Sequence, residues 1–449
     1  MPNVHLLVLI HGMWGNPSHL AHLDKVIREV KGGVESTGSD GVELAVLVAE
    51  TNKDESTYDG IDWGGERVAE EILDEVKKFE DQGKKVIRFS VTGYSLGGLV
   101  ARYVIGILHQ RKFFETITPV NFNTLATPHI GIPRFASTFS SISAYLGPKL
   151  LSRSGEQFFC VDKWSPKGRP LVEVLADPER VFYQALLLFP NICIYANAIH
   201  DRTVPFVTAA ISAENPFGDY EKNGIQLVMH EDYKNVIKSY TVPSTPPEVS
   251  PKESDTWLQT MRNMKPPLPP LFQRAFPLNL VVYAFLPVLF PTFLSLVLIR
   301  LSIASHKSRT RLRSLESASS NSEKLIHILA KLESEIEGAM VELYDDPQYS
   351  PTPSPPATSL DGSGDSKKEL EPKKRKSRSK LPSYQPLLTP VQLSCIEKLN
   401  RIPQLKKELA FFEGVLNSHA VIVCRDIKNF KHHLEGEGVL HHWADHFEL

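Results

Sequence analysis

The stretch KKVIRFSVTGYSLGGLVARYV, Lys84 to Val104, indicates both the fold class and the chemistry of this chain. An apolar, β-branched run is followed by Gly-Tyr-Ser-Leu-Gly and then by an apolar helical pattern. A Gly-x-Ser-x-Gly sequence is common by chance, but between a strand and a helix it is typical of a nucleophile elbow. We therefore expect Ser95 to lie in a strained turn, with Gly93 and Gly97 allowing strand and helix to approach closely.

Short apolar runs alternate with amphipathic stretches on both sides of this elbow. The predicted strands are His5–His11, Val42–Ala49, Val86–Thr92, Val120–Thr127 and Asn191–Ala198, and the predicted helices are Ser18–Lys31, Trp63–Gln82 and Leu96–Gln110. Strands that alternate with helices form a mostly parallel sheet covered on both faces, so the fold class is α/β. The less regular segment Ile132–Pro190 is expected to be an insertion over one end of the sheet.

Composition excludes some classes of function. The chain has 449 residues, 42% of them hydrophobic, which is enough for two or three domains. Its net charge of −2 gives no reason to expect a nucleic-acid partner. The four cysteines have no Cys-x-x-Cys spacing, which favours reduced thiols over disulfides. The N-terminus lacks a secretory-signal pattern, so we expect this part of the chain in a reducing compartment.

The composition changes after about residue 240. We predict a Pro-rich linker over 241–272, a membrane-inserted hairpin over 273–304, an amphipathic helix over 315–344 and a disordered basic linker over 345–390. From residue 391 to 449 the composition is again that of a globular segment. We therefore expect residues 1–240 and 391–449 to form one core that the membrane segment and the linkers interrupt.

The stretch Ala275–Ile299 carries no charge and is longer than the about 20 residues that a spanning helix needs. A single crossing would put Ser95 and any base that follows the stretch on opposite sides of a membrane. Pro287 and Pro291 interrupt its centre, where each removes a helical hydrogen bond. The sequence therefore predicts a hairpin that enters and leaves the same leaflet, with its turn at these prolines and its ends near anionic headgroups.

A serine nucleophile needs donors for the oxyanion of its tetrahedral intermediate. One donor should be the N–H of Leu96, at the start of the helix after the elbow. The second should come from the loop His11–Gly15, which follows the first strand. We assign it to the N–H of Met13, with Trp14 as the less favoured alternative, and we interpret His11 as a structural turn histidine.

The nucleophile also needs a base and an acid that orients it. Asp201 follows a late strand in NICIYANAIHDRTVPF, the position of the acid in a Ser…Asp…His order. Nine histidines follow Asp201, and the better candidates for the base are His230, after IQLVM, and His419, in LNSHAVIV. Their spacing alone leaves the two nearly even, because His419 requires the chain to return to the core after the membrane segment and linkers.

Five segments together resemble the putative serine esterase family of α/β-hydrolases, and within it the fungal lipid-droplet phospholipases. They are HGMWGNPSHL, TYDGIDWGGERVAEEI, VTGYSLGGLVARY, LATPHIGI and YANAIHDRTVPF, and the resemblance covers about residues 4–240 and 405–449. It implies an α/β-hydrolase fold. The family's base lies in a segment like SHAxIIV near the C-terminus, so the resemblance implies His419 rather than His230.

Residues and resemblance together imply a membrane-associated serine hydrolase that cleaves acyl esters of lipids, with glycerophospholipids as the expected substrates. The expected triad is Ser95, Asp201 and His419. No metal or organic cofactor is expected, because water hydrolyses the acyl-enzyme. The expected location is a lipid droplet or the endoplasmic reticulum, with the catalytic domain facing the cytosol and 275–299 in the lipid. The alternatives are a thioesterase or protein deacylase with the same residues, and a catalytically silent membrane tether.

Overall fold

The computed structural model describes residues 2–32, 41–243, 278–317 and 385–449. Ten strands occur in them: β1 Asn3–Ile10, β2 Val42–Val48, β3 Lys85–Tyr94, β4 Thr118–Leu125, β5 Arg134–Phe135, β6 Asn191–Asn197, β7 Gln226–Met229, β8 Val236–Thr241, β9 Pro386–Leu387 and β10 Leu405–Ala410. Eight of these strands form the central sheet, and β5 pairs with β9 in a separate antiparallel ribbon.

Eleven α-helices occur in the same described residues. They are α1 Ala21–Lys31, α2 Ile61–Asp81, α3 Leu96–Gln110, α4 Thr138–Leu150, α5 Ser152–Phe158, α6 Leu171–Leu175, α7 Val181–Leu187, α8 Phe206–Ala209, α9 Leu278–Ser317, α10 Pro390–Leu399 and α11 Glu437–Asp445. Short 3-10 helices cover Pro17–Leu20, Asp54–Tyr58, Phe113–Glu115, Val421–Val423 and Lys431–Gly436.

The central sheet has the strand order β2-β1-β3-β4-β6-β10-β8-β7. The first six strands are parallel, and β8 and β7 continue the sheet in antiparallel pairing. This mostly parallel sheet with helices confirms the predicted α/β-hydrolase fold class. Strand β10 lies between β6 and β8, so the segment after residue 390 belongs to the same sheet as the segment before residue 242.

Strand β1 illustrates why the sheet is covered on both faces. Its residues are buried without exception from Val4 to Ile10, as expected for an inner parallel strand. Leu6 and Val8 pack into the cluster that includes α2 and α3, whereas Leu7 and Leu9 pack into the cluster that includes α1 and α11. The two clusters cover the two faces of the sheet. Ser95 follows β3 directly and therefore lies at the carboxyl ends of the parallel strands.

The insertion Ile132–Pro190 is more regular than its sequence indicates. It contains the strand β5 and the four helices α4 to α7, and α7 packs against α3. Helices α6 and α7 have only five and seven residues. Such helices are shorter than the window of about 11 residues in which a helical period is recognisable.

Helix α9 corrects the predicted hairpin. It is continuous from Leu278 to Ser317, and Pro287 and Pro291 lie inside it, so the predicted turn between them is wrong. The two prolines are four residues apart and therefore lie on one face, where each removes a single backbone bond. The hydroxyl of Thr292 donates to the carbonyl of Val288 at 2.7 Å, which adds a bond beside Pro291. These losses on one face do not reverse a helix of this length.

The other predicted boundaries lie mostly outside the described residues. This holds for 244–272 of the Pro-rich linker, for 318–344 of the amphipathic helix and for 345–384 of the basic linker. The last six residues assigned to the basic linker, 385–390, are ordered instead. They contain β9 and the start of α10, whose N-terminus Thr389 caps by exchanging hydrogen bonds with Gln392. The antiparallel pairing of β9 with β5 accounts for the difference between this order and the predicted disorder.

Candidate active site

Ser95 lies at the elbow between β3 and α3. Its backbone φ of 56° is unusual for a residue with a side chain, and the serine is 6% exposed. The backbone around it is close-packed: a Cβ on Gly97 would lie 2.0 Å from the carbonyl oxygen of Ile10, and one on Gly93 would lie 2.5 Å from the nitrogen of Gly98. Glycine is therefore required at both positions, which matches the expectation from the sequence.

His419 connects the two other predicted residues. Its Nε2 lies 3.0 Å from the Ser95 Oγ, and its Nδ1 lies 2.9 Å from the Asp201 Oδ2. Because a carboxylate can only accept, Nδ1 carries the proton and Nε2 is left to accept from the serine hydroxyl. The structure thus brings together three side chains that are up to 324 residues apart in the sequence.

The carboxylate of Asp201 is buried and hydrogen-bonded at both oxygens. Its side chain is 1% exposed. Oδ1 accepts from the N–H groups of Thr203 and Val204 at 2.9 and 2.8 Å, and Oδ2 accepts from Asn197 Nδ2 at 2.8 Å as well as from the imidazole. These donors fix the carboxylate so that it holds one orientation of His419.

Two residues that the sequence analysis did not assign hold the loop of His419. The hydroxyl of Tyr94 donates to the carbonyl of His419 at 2.9 Å, and the hydroxyl of Ser418 donates to the carbonyl of Ile199 at 2.8 Å. Burial raises the pKa of Tyr94, so its hydroxyl stays protonated and can donate. Tyr94 stands beside the nucleophile in Gly-Tyr-Ser-Leu-Gly, and its position in the elbow was the one available signal.

The rival base, His230, lies elsewhere. It follows β7, and its ring centroid is 5.3 Å from that of Tyr233 and 5.6 Å from that of His442. The ring of His442 stacks in turn on that of His446, with 4.2 Å between centroids. His230 thus belongs to a cluster with His442 of α11 and with His446, which follows that helix.

The loop after β1 approaches the nucleophile closely. A Cβ on Gly12 would lie 2.7 Å from the Ser95 Cβ, so only glycine fits there. The N–H of Trp14 already donates to the Thr57 Oγ1 at 3.1 Å, whereas the N–H of Met13 has no acceptor among the described residues. The N–H of Leu96 is the first of α3 and lacks an intrahelical partner. Of the two candidates for the second oxyanion donor, Met13 is therefore favoured over Trp14, because its N–H is not already bonded to a described residue.

His11 is buried in the same loop. Its Nδ1 lies 3.1 Å from the carbonyl oxygen of Gly12, and burial lowers its pKa, which keeps the ring neutral. A Cβ on Gly15 would lie 2.8 Å from this ring nitrogen. These contacts describe a side chain that fills the turn, as we expected.

A cavity of about 850 Å³ adjoins Asp201. Its lining includes Asp201 itself but neither Ser95 nor His419. The apolar part of the lining comes from the insertion and from the segment after β6: Ile132, Pro133, Phe135, Phe139, Phe159, Ile199, Pro205, Phe206 and Phe217. The insertion thus contributes apolar surface on the acid side of the triad.

Part of the chain is similar to a described protein family. Residues 1–213 match the family model described as "Putative serine esterase (DUF676)". This range includes Ser95 and Asp201 and ends before His419.

Curated relatives of the chain are named as lipases. A putative lipase of Schizosaccharomyces pombe is 30% identical over 240 residues, which cover 52% of this chain and 29% of the relative. The putative lipase ROG1 of Saccharomyces cerevisiae is 27% identical over 210 residues, or 46% of this chain and 28% of the relative. The chain thus aligns with less than a third of the length of these relatives.

Among solved structures, an extracellular alpha/beta-hydrolase from a Paenibacillus species is similar to this chain. The two are 16% identical, and the match covers 32% of this chain and 50% of the other with a TM-score of 0.21. The fold assignment rests on the strand order and the elbow rather than on this similarity.

Proposed function

Residues 1–213 match the model of a serine esterase family, and on this basis we propose that the chain is a serine hydrolase that cleaves acyl esters of lipids, with glycerophospholipids as its substrates. The observation that carries the proposal is the continuous set of contacts from Ser95 through His419 to Asp201. These residues have the separations and protonation that nucleophilic acyl transfer requires.

The first half of the reaction forms an acyl-enzyme. Ser95 Oγ attacks the ester carbonyl while His419 Nε2 takes its proton, and Asp201 stabilises the resulting imidazolium. The N–H groups of Leu96 and Met13 donate to the oxyanion that develops on the carbonyl oxygen. When the intermediate collapses, the ester C–O bond breaks and His419 returns the proton to the leaving alcohol.

The second half releases the fatty acid. A water molecule attacks the acyl-enzyme, His419 takes one of its protons, and Ser95 leaves with that proton restored. Every proton in the cycle moves between Ser95, His419, water and the alcohol. Ser95 and His419 are therefore the protein groups that give and accept protons during ester hydrolysis.

The apolar part of the cavity beside Asp201 supports a lipid substrate. A fatty acyl chain gains about 0.8 kcal/mol for each methylene removed from water. The phenylalanines Phe135, Phe139 and Phe159 of the insertion and Phe206 and Phe217 beyond β6 offer such a surface on the Asp201 side of the triad. We therefore assign the insertion the role of acyl-chain binding.

Helix α9 supports an association with a lipid surface. Within the described residues it is the helix that is long and apolar enough to cross a membrane, over Pro287–Leu315. The side chains of nine apolar residues on it are 46–66% exposed: Phe285, Val288, Leu289, Phe290, Phe293, Leu294, Leu296, Ile299 and Ile303. Burying so many apolar side chains in lipid is favourable.

A complete crossing by α9 is disfavoured by the position of its neighbours in the chain. Both β8, before the helix, and β10, after it, belong to the one sheet. If α9 crossed a membrane, either residues 242–277 or residues 318–404 would have to cross back, and both segments carry charged residues, among them Lys252, Asp255 and Glu323. Charged side chains at a bilayer centre are costly. We therefore propose that α9 lies in one leaflet, which suits a droplet monolayer or the cytosolic face of the endoplasmic reticulum.

The test is hydrolysis of phospholipid vesicles by the full chain and by Ser95→Ala. We expect fatty acid release by the wild type, none above background by Ser95→Ala, and fluorophosphonate labelling at Ser95 only in the wild type. Failure of the wild type to label would support the silent tether instead. Labelling with hydrolysis of acyl-protein or thioesters but not of lipid would support the deacylase alternative.

A further inference from the structure

Helix α9 docks on the hydrolase core through its C-terminal part. Its buried residues are Ala304, Ser305, Ser308 and Leu312, which recur at the spacing of one helix face. The hydroxyl of Ser305 donates to the carbonyl of Lys149 in α4 at 3.1 Å. The exposed apolar residues lie mostly on the preceding turns, so one end of α9 is attached to the protein and the other is free to contact lipid.

The centre of this docked end is a buried carboxylate, that of Asp59. Its side chain is 0% exposed. Oδ1 accepts from the Ser308 hydroxyl and from Arg311 Nη2, both at 2.6 Å, and Oδ2 accepts from Arg311 Nε at 2.9 Å and from Arg67 Nη2 at 2.7 Å. A buried carboxylate is stable only when it is paired. Three of the four bonds to Asp59 come from α9.

The residues just before Asp59 hold the loop that approaches Ser95. The Thr57 Oγ1 accepts from the N–H of Trp14 at 3.1 Å, and the Tyr58 hydroxyl accepts from the Trp14 indole Nε1 at 2.8 Å. Trp14 has a φ of 55° and directly follows Met13, so its two contacts restrain the backbone next to the candidate oxyanion donor. Contacts are therefore continuous from α9 to the loop Gly12–Trp14.

We propose that α9 is a positioning element for the oxyanion loop, with Arg311 and Ser308 fixing Asp59, and with Thr57 and Tyr58 fixing Trp14 and thereby the Met13 N–H. The inference rests on the proposed function, because it concerns the donor that would hold the oxyanion. It makes turnover depend on docking of the same helix that contacts lipid. A lipid surface that orients α9 would then be coupled to the chemistry through Asp59.

The size of the effect follows from the geometry that an oxyanion donor needs. Such a donor acts within about 2.7–3.1 Å of the oxyanion, and a misplacement of about 1 Å can cost up to about 100-fold in rate. Without Arg311, Asp59 would keep Ser308 and Arg67 as its hydrogen-bond donors. The 3-10 turn Asp54–Tyr58 would then be held less firmly, and Trp14 with it.

The test is Arg311→Gln in the full chain, assayed in detergent on a soluble short-chain ester. We expect kcat to fall about tenfold and KM to stay within about twofold, because the loss is in the transition state. The inhibition constant of a boronic acid analogue should rise by the factor by which kcat/KM falls. Rates are normalised to the active sites titrated with a fluorophosphonate, so that a merely unfolded fraction does not alter them.

Arg309→Gln is the matched control. Arg309 is two residues away on the same helix, is 46% exposed and lies 3.5 Å from Glu156 on the surface. It carries the same charge without reaching Asp59, so its kcat and inhibition constant should match those of the wild type.

A double-mutant cycle separates coupling from general loosening. Trp14→Phe keeps an aromatic ring but removes the donor to Tyr58, and combined with Arg311→Gln it should lower kcat by little more than the larger single effect. If Arg311→Gln does not fold, Ser308→Ala and Tyr58→Phe replace it in the cycle. Additive effects, or a normal kcat and inhibition constant in Arg311→Gln, would overturn the inference. An inactive wild type would overturn the proposed function instead.

Discussion

The elbow at Ser95 and the loop that carries His419, here called the base loop, meet at the hydrogen bond between these two side chains. The two regions are built in different ways. The elbow is local: Gly93, Ser95 and Gly97 lie within one short segment, and the space left by neighbouring backbone determines which residues fit. The loop of His419 is 324 residues away from Ser95 and is positioned by hydrogen bonds to Tyr94 and to the segment after β6. A local motif specifies a conformation by itself, whereas a distant residue acquires its place from the sheet that carries it.

Replacing either end of this hydrogen bond should have the largest effect. Residues that act as a unit lose activity together, so Ser95→Ala and His419→Ala should each lower kcat for a lipid ester by about 1,000-fold or more, and the double variant by little more. His230→Ala, in the cluster beside α11, should keep wild-type turnover. An active, folded His419→Ala would contradict the triad.

A substitution inside the elbow should act on folding as well as on turnover. A Cβ on Gly97 would lie 2.0 Å from the Ile10 carbonyl oxygen, a backbone atom that cannot move without disturbing β1. We expect Gly97→Ala to lower the free energy of unfolding by about 3 kcal/mol, at the upper end of overpacking effects. Denaturant unfolding measures it, and Gly83→Ala is a contrasting control: it has open space but a φ of +73°, so it isolates the cost of backbone strain.

These two regions also explain what the sequence could predict. The strand–helix context of Gly-Tyr-Ser-Leu-Gly requires only neighbours in the chain, so the elbow and the α/β class could be read directly. Spacing could not choose between His230 and His419, because the choice depends on β10 entering the sheet beside β6. The family resemblance supplied that long-range information.

Two further features show the same limit. The prolines of α9 predict a turn, yet interior prolines on one face are compatible with a continuous helix. Asp59 lies in TYDG, part of one of the segments that resemble the serine esterase family. Its role depends on Arg311, 252 residues further along the chain, and no local pattern indicates that pairing.

Tyr94→Phe tests the link between elbow and base loop. It removes the hydroxyl that donates to the His419 carbonyl at 2.9 Å while keeping the ring, whose centroid lies 5.1 Å from that of the imidazole. A lost hydrogen bond of this kind costs about 1–3 kcal/mol when the partner stays buried. We expect kcat to fall about tenfold with a small change in KM, measured on a soluble ester. An unchanged kcat would show that the other contacts suffice.

Acid should loosen the part of the sheet that carries the base. Burial, followed by the charges of His446 and His230, lowers the pKa of His442 to about 4, and its Nδ1 is bonded to Tyr195 in β6. The unfolded chain binds this proton near pH 6.5, before the native protein does. Stability from this histidine is therefore complete above pH 6.5 and is lost as the pH falls towards 4.

His442→Gln measures that contribution. Between about pH 6.5 and 4, the slope of the unfolding free energy against pH reports the number of protons taken up on unfolding. This number should decrease by about one in the variant, because the amide does not titrate. The buried His5, whose pKa is lowered to about 3 by burial and by Arg88, continues to titrate in both proteins and serves as the internal reference. An identical slope in the two proteins would mean that His442 is protonated equally in the native and unfolded chains.

Replacing residues 345–384 by a Gly/Ser chain of the same length should have the smallest effect. The base loop needs the chain to re-enter the core, and the described contacts for that entry begin at β9, where Leu387 pairs with Arg134 and Pro386 with Phe135. Closing a flexible loop depends only weakly on its length, about 0.6 kcal/mol for each doubling, and here the length is unchanged. Turnover and unfolding midpoint should therefore stay within error of the wild type. Extending the replacement through residue 387 removes the ribbon and should lower the midpoint, since β5 precedes the insertion helices that line the cavity. If the shorter replacement alone reduces turnover, the segment contributes to the core, and the base loop depends on more of the chain than its entry point.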